Sequence, residues 1–163
     1  MKTKAYAITR GRRKIQYVYG LTLFLLALTG FAQMPIFKRY YIADIPGLGW
    51  LAEFYTTHFI HYLGAAAILA IGAYFAAEFL LVTRRYRRLS ASGSVRAAIL
   101  CGIMASGILL VIRNSFFVPF SPQFVIVLLL AHLGLTMVFL LFALYCKIAG
   151  KPWTAARQKK FDS

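Results

Sequence analysis

Residues 55–81 read YTTHFIHYLGAAAILAIGAYFAAEFLL, and Glu78 is the only charged residue among them. At about 1.5 Å of rise per residue, roughly 20 apolar residues carry a helix across the hydrocarbon core of a bilayer. The stretch exceeds that length, so it predicts a membrane-spanning helix with residues to spare for tilt. A second stretch, VIVLLLAHLGLTMVFLLFALY at 125–145, contains no charged residue at all. Working outward from these two, four apolar segments emerge, at about 15–34, 53–82, 97–118 and 123–148. Pro35 closes the first, and Pro119 and Pro122 suit a turn followed by a helix start. The expected fold is all-α: an integral membrane four-helix bundle forming a single membrane domain over residues 1–163. That 61% of the 163 residues are hydrophobic agrees with this class.

The net charge of +15 would suit a nucleic-acid binder if it were spread over a soluble surface. It is not, and no nucleic-acid partner is expected. The basic residues cluster between apolar segments, as membrane topology demands. Lys2, Lys4, Arg10, Arg12, Arg13 and Lys14 precede the first segment. Arg84, Arg85, Arg87, Arg88 and Arg96 separate the second from the third. Lys147, Lys151, Arg157, Lys159 and Lys160 follow the fourth. Of the 19 Lys and Arg, only Lys38, Arg39 and Arg113 fall on the other side. Both termini are therefore expected in the cytoplasm, with the basic side facing lipid headgroups. The first apolar run lacks a small-residue cleavage site and is expected to remain as a helix. Cys101 and Cys146 lie in or beside apolar segments and read as reduced structural thiols. The outward loop from Pro35 to Ala52 holds Phe37, Tyr40, Tyr41 and Trp50 around a Pro46–Gly47 turn; it suits an aromatic belt or a docking surface. No internal repeat is evident in the sequence, so a transporter built of inverted repeats is not suggested.

All three histidines, His58, His61 and His132, lie inside spans. An imidazole in hydrocarbon is costly unless something satisfies it, which makes each a functional candidate. His61 follows Glu53 by eight residues, about 12 Å along a helix, and His132 follows Gln123 by nine, about 13–14 Å. The two depths match, and paired imidazoles on two helices at one depth suit the two axial positions of a haem iron. His58, about 7–8 Å in, is the alternative ligand, or a contact to a haem propionate or quinol. Arg113 is a second candidate for a propionate. Small residues (Gly64 and Gly72, Thr29–Gly30, Ser106–Gly107, Gly134) permit close approach of helices or of a flat macrocycle. Toward the cytoplasmic face, Gln16, Tyr17, Glu78 and Tyr145 could serve a quinone or a proton relay.

The chain resembles the four-helix cytochrome b subunits of respiratory formate dehydrogenases and nickel–iron hydrogenases. The resemblance covers nearly the whole chain by layout and rests on short motifs. These are Arg13-x-x-Gln16-Tyr17 followed by Leu25-Leu26-Ala27-Leu28-Thr29-Gly30, a histidine near the outer end of the second helix followed closely by a glycine, and Ala131-His132-Leu133 in the fourth helix. It implies b-type haem, electron transfer between quinone and an outer-face iron–sulfur or multihaem partner, and a home in a bacterial or archaeal cytoplasmic membrane. The chain departs from the family where the inner haem is ligated. Gln16 stands where the family has a histidine, and Ala143, Leu144, Tyr145 and Cys146 occupy the stretch of its second fourth-helix histidine. The resemblance therefore implies one haem b, held by His61 and His132, in an electron-transfer subunit rather than an enzyme acting alone. A haem-free structural or assembly subunit of a membrane complex is the competing expectation.

The charge pattern yields a direct prediction. Reporters fused to either terminus, or inserted after Arg88, will be active only as cytoplasmic reporters. One inserted at Pro46–Gly47 will be active only as an exported reporter. The opposite result at any of these positions would overturn the assigned orientation.

Overall fold

A computed structural model describes residues 2–34, 44–116 and 120–156. Pro35, Phe37, Lys38, Arg39, Tyr40, Tyr41, Pro119, Arg157, Lys159 and Lys160 lie outside the described residues. The chain is largely helical: α1 (Lys2–Ala32), α2 (Phe54–Leu81), α3 (Ala91–Phe116) and α4 (Pro122–Ile148). All four contain a stretch long and apolar enough to cross a membrane; in α1 this is Lys14–Ala32. The chain is thus a multi-pass membrane protein by length and composition. It divides into two compact units, residues 1–78 and 79–163.

Two helices begin earlier than hydropathy suggests. Hydropathy marks the part of a helix that suits lipid, not the helix itself. α1 starts at Lys2 rather than near Ile15, because arginine and lysine are good helix formers and no proline interrupts the basic segment. α3 starts at Ala91 rather than near Ala97. Ser90 caps it: its hydroxyl accepts from the Gly93 amide at 2.9 Å and its carbonyl from the Ser94 amide at 2.8 Å. α2 and α4 lie within a residue of their expected bounds. Ser121 caps α4 by accepting from the Phe124 amide, and Pro122 fills the first helical position, where its missing N–H costs nothing.

In the first unit, the Pro46–Gly47 turn forms as expected. The Leu48 amide donates to the Ile45 carbonyl at 2.9 Å, and Gly47 takes φ +86°, which a side chain would resist. A short 3₁₀ turn, Gly49–Ala52, then packs on α1 and buries Leu51. This part of the connection between α1 and α2 is anchored by an apolar side chain rather than lying free.

In the second unit, α3 packs against α4 along a seam that includes Gly102 and Leu135. Beyond α4, the Lys151 amide donates to the Cys146 carbonyl at 2.8 Å and the Gly150 amide to Lys147 at 3.4 Å, with Gly150 at φ +63°. This six-to-one closure satisfies carbonyls that the helix end leaves open. It also turns the chain back, so that β2 (Thr154–Ala156) pairs antiparallel with β1 (Arg87–Leu89), Arg88 facing Ala155. Neither three-residue strand has a hydropathy signature, and the sequence reading contains no strand.

Arg96 locks this ribbon. It is 5% exposed, donates to the Ser92 and Lys151 carbonyls at 3.1 Å, and places its guanidinium 4.2 Å from the centre of the Trp153 ring. A buried cation needs such partners, and here carbonyls and an indole face supply them. Ser90 adds a bond to the Pro152 carbonyl at 2.6 Å, and the Trp153 carbonyl lies directly over Gly93. Arg96, grouped by sequence with the topological charges, is a structural residue.

Outside these seams the helices present apolar surface. No residue in the most apolar window of α2 is buried within the protein, and Tyr17, Leu21 and Phe24 on α1 are exposed. A helix apolar around its circumference needs a nonaqueous surrounding.

Replacing Gly93 by alanine drives a methyl group into the Trp153 carbonyl, and replacing Arg96 by alanine removes two charge-assisted bonds and a ring contact. Each will destabilise the protein by about 1–3 kcal/mol. Thermal unfolding in detergent, with proteolysis after Trp153 as a local probe, measures this; wild-type behaviour of Arg96→Ala would refute the role given to the guanidinium.

Candidate functional site

In the first unit, Thr29 and Gly30 sit side by side on α1, and His61 on α2 reaches them. The Thr29 hydroxyl lies 2.7 Å from the Leu25 carbonyl and 3.0 Å from His61 Nδ1. A hydroxyl has one proton. With it given to the carbonyl one turn back, the oxygen accepts from the ring, and Nδ1 carries the hydrogen. Nε2 is then the nitrogen with the lone pair. Thr29 is fully buried, so no water competes for this bond. The ring also lies hard against Gly30: a Cβ there would come within 3.3 Å of His61 Cε1 and 3.8 Å of Nδ1.

The second unit builds the same arrangement from different residues. Ser106 and Gly107 are adjacent on α3, and His132 on α4 reaches them. The Ser106 hydroxyl donates to the Ile103 carbonyl at 2.9 Å and lies 2.8 Å from His132 Nδ1. A Cβ at Gly107 would stand 3.3 Å from His132 Cε1 and 3.8 Å from Nδ1. One turn on, Thr136 donates back to the His132 carbonyl at 2.8 Å. In each unit the earlier helix supplies a hydroxyl and a glycine, the later helix supplies an imidazole, and the distances agree within about 0.2 Å.

The sequence reading found no internal repeat and took Thr29–Gly30 and Ser106–Gly107 as packing residues. The structure adds that each pair clasps a histidine of the next helix. The legible signal was a hydroxyl–glycine dipeptide in one span and a histidine in the next, occurring twice.

His58 is held differently. Its Nδ1 lies 3.3 Å from Gln33 Oε1, and its ring stacks on Phe54 at 5.2 Å and tilts against Tyr62 at 4.3 Å. It is wedged among aromatics with a longer polar contact and no glycine beneath it.

The remaining candidates have separate surroundings. Arg113 is exposed in the last turn of α3, where a cation complements the helix dipole. Gln16 is exposed and Tyr17 is 78% exposed on α1. Glu78 is half-buried, and it and Arg84 each engage in an interaction of their own. Tyr145 accepts from Lys151 Nζ at 3.0 Å, and the ammonium also lies 4.7 Å from its ring. That hydrogen bond raises the Lys151 pKa above its ordinary value. Cys101 is exposed and Cys146 is buried. Among the described residues, no three His, Cys, Asp or Glu side chains converge to hold a bare metal ion.

No protein-family model, curated protein or solved structure matches this chain.

The tightness at the two glycines is itself testable. Gly30→Ala and Gly107→Ala require the ring to yield by a few tenths of an ångström, whereas Gly30→Val and Gly107→Val require it to leave. The valine variants will lose about 1–3 kcal/mol of stability and the Nδ1 hydrogen bond. Unfolding in detergent and ¹⁵N spectra of labelled histidine report the two effects.

Proposed function

We propose that this chain is a haem b-binding membrane anchor of a respiratory oxidoreductase complex, carrying electrons between a redox partner on the outer face and the quinone pool. His61 and His132 would be the axial ligands of a single haem. The observation that carries this reading is the twin clasp. A ligating histidine usually donates its second ring N–H to a fixed acceptor, which sets both the tautomer and the direction of the lone pair. Thr29 and Ser106 do this for His61 and His132 with matching geometry. The donor set fits haem: two neutral imidazoles, each with Nδ1 occupied and Nε2 as the lone-pair nitrogen. Bound haem supplies reversible one-electron chemistry.

The shared geometry also favours His61 over His58, which lacks the hydroxyl and glycine partners and is packed among rings. The distribution of positive charges supports cytoplasmic termini under this reading, which would put the histidines in the outer half of a cytoplasmic membrane. An outer-face iron–sulfur or multihaem protein would then be the nearest electron partner. Quinone binds in this proposal toward the cytoplasmic side, where Gln16, Tyr17 and Glu78 offer hydrogen-bonding groups.

A reduced-minus-oxidised optical spectrum of the purified protein tests the proposal. A b-type band is expected in the wild type, with one haem per chain on extraction. His61→Ala and His132→Ala will abolish the band, and His58→Ala will retain it. Absence of the band from the wild type would leave a haem-free structural or assembly subunit as the reading that stands. Two haems per chain would contradict the single-haem assignment.

A further inference from the structure

We infer that Thr29 and Ser106 are a matched pair of positioning residues that set the electron-donating strength of the two haem ligands. This rests on the haem reading above and extends it to residues that do not touch the iron. Each hydroxyl is fixed twice over. It gives its proton to a backbone carbonyl of its own helix, Leu25 at 2.7 Å or Ile103 at 2.9 Å, and so presents only a lone pair to the imidazole. Each is buried, Thr29 completely and Ser106 at 7% exposure, so the acceptor is neither rotated nor replaced by water. Each sits beside a glycine that the ring presses against, so the ring cannot slide off the acceptor toward its own helix partner.

A hydrogen bond from Nδ1–H raises the basicity of Nε2 and strengthens its donation to a metal. Stronger donation stabilises the ferric state and lowers the midpoint potential. The two halves also chose different residues, threonine and serine, for the same atom in the same place, and the ring contact at the glycine is the same in both. What the arrangement maintains is the acceptor oxygen, not a particular side chain.

The test uses the full-length protein with its haem, and potentiometry as well as haem retention. Thr29→Val keeps the shape and removes the acceptor; Ser106→Ala removes the hydroxyl acceptor in the other unit, where the Ile103 carbonyl also lies within reach of the His132 ring. Both are expected to shift the midpoint potential upward and to weaken haem retention about 10- to 100-fold. Thr29→Ser and Ser106→Thr keep the hydroxyl and will retain the wild-type potential. If Thr29→Val does not fold, Ser106→Ala carries an expectation of the same direction independently. Variants that bind haem with unchanged potential and retention would overturn the inference while leaving the haem assignment intact. A wild-type protein without a b-type band would instead bring down the assignment and this inference with it.

Discussion

An imidazole placed in hydrocarbon must account for two nitrogens, and this requirement organises the helix pairs. One nitrogen donates and the other accepts, so each histidine needs two unlike surroundings rather than one partner. In both units the donating side is settled by a hydroxyl on the preceding helix. That oxygen can serve only because its own proton is spent on a helix carbonyl, and the ring can reach it only because the next residue is glycine. The register between α1 and α2, and between α3 and α4, is thereby fixed by a polar contact of defined direction. Dispersion between lipid-like side chains would distinguish one register from the next far less sharply.

The rest of the helical surface is spent differently. Few apolar side chains are buried against one another; Phe139, Leu51, Val125 and Leu128 are among them. Most of the leucine and valine surface is open, as it must be when the surrounding phase is itself apolar. Beside those few apolar side chains, burial within the protein takes in residues that lipid would treat badly: Thr22, Thr29, Thr57, Ser106 and Arg96. Thr57 returns its hydroxyl to the Glu53 and Phe54 carbonyls, so its oxygen too is satisfied within its own helix turn. What departs from a water-soluble protein is the outer surface, where large apolar side chains stand open.

The spans were legible because length and hydropathy respond to the same constraint, a hydrocarbon layer of fixed thickness. The ends of α2 and α4 were legible too, the start of the latter through Pro122. The start of α1 was not, since Lys2 through Lys14 are poor membrane residues but good helix residues, and only the first property shows in hydropathy. The start of α3 was hidden in a Ser- and Gly-containing stretch where Ser90 caps and Gly93 admits a carbonyl. The β1–β2 ribbon depends on a left-handed turn at Gly150 and on Arg96 beneath Trp153, contacts between residues more than fifty positions apart that no local pattern encodes. At the candidate site the histidines stood out as residues needing partners, and each has a polar contact. The partners were named only as small residues, because a threonine in an apolar helix looks the same whether its hydroxyl is idle or holds a ring.

The two ends of α4 make the division of labour concrete. His132 lies in its first half with a side chain turned to Ser106 and a lone-pair nitrogen to offer. At the other end, where the resemblance to two-haem cytochromes would call for another ligand, Cys146 is 1% exposed and its carbonyl closes the helix against Lys151. Tyr145 beside it takes the Lys151 ammonium, and the chain beyond is tied down by Arg96, Trp153 and Ser90. The segment at this end of α4 is committed to holding the helix end and the ribbon, while the first half of the helix carries the imidazole held by Ser106.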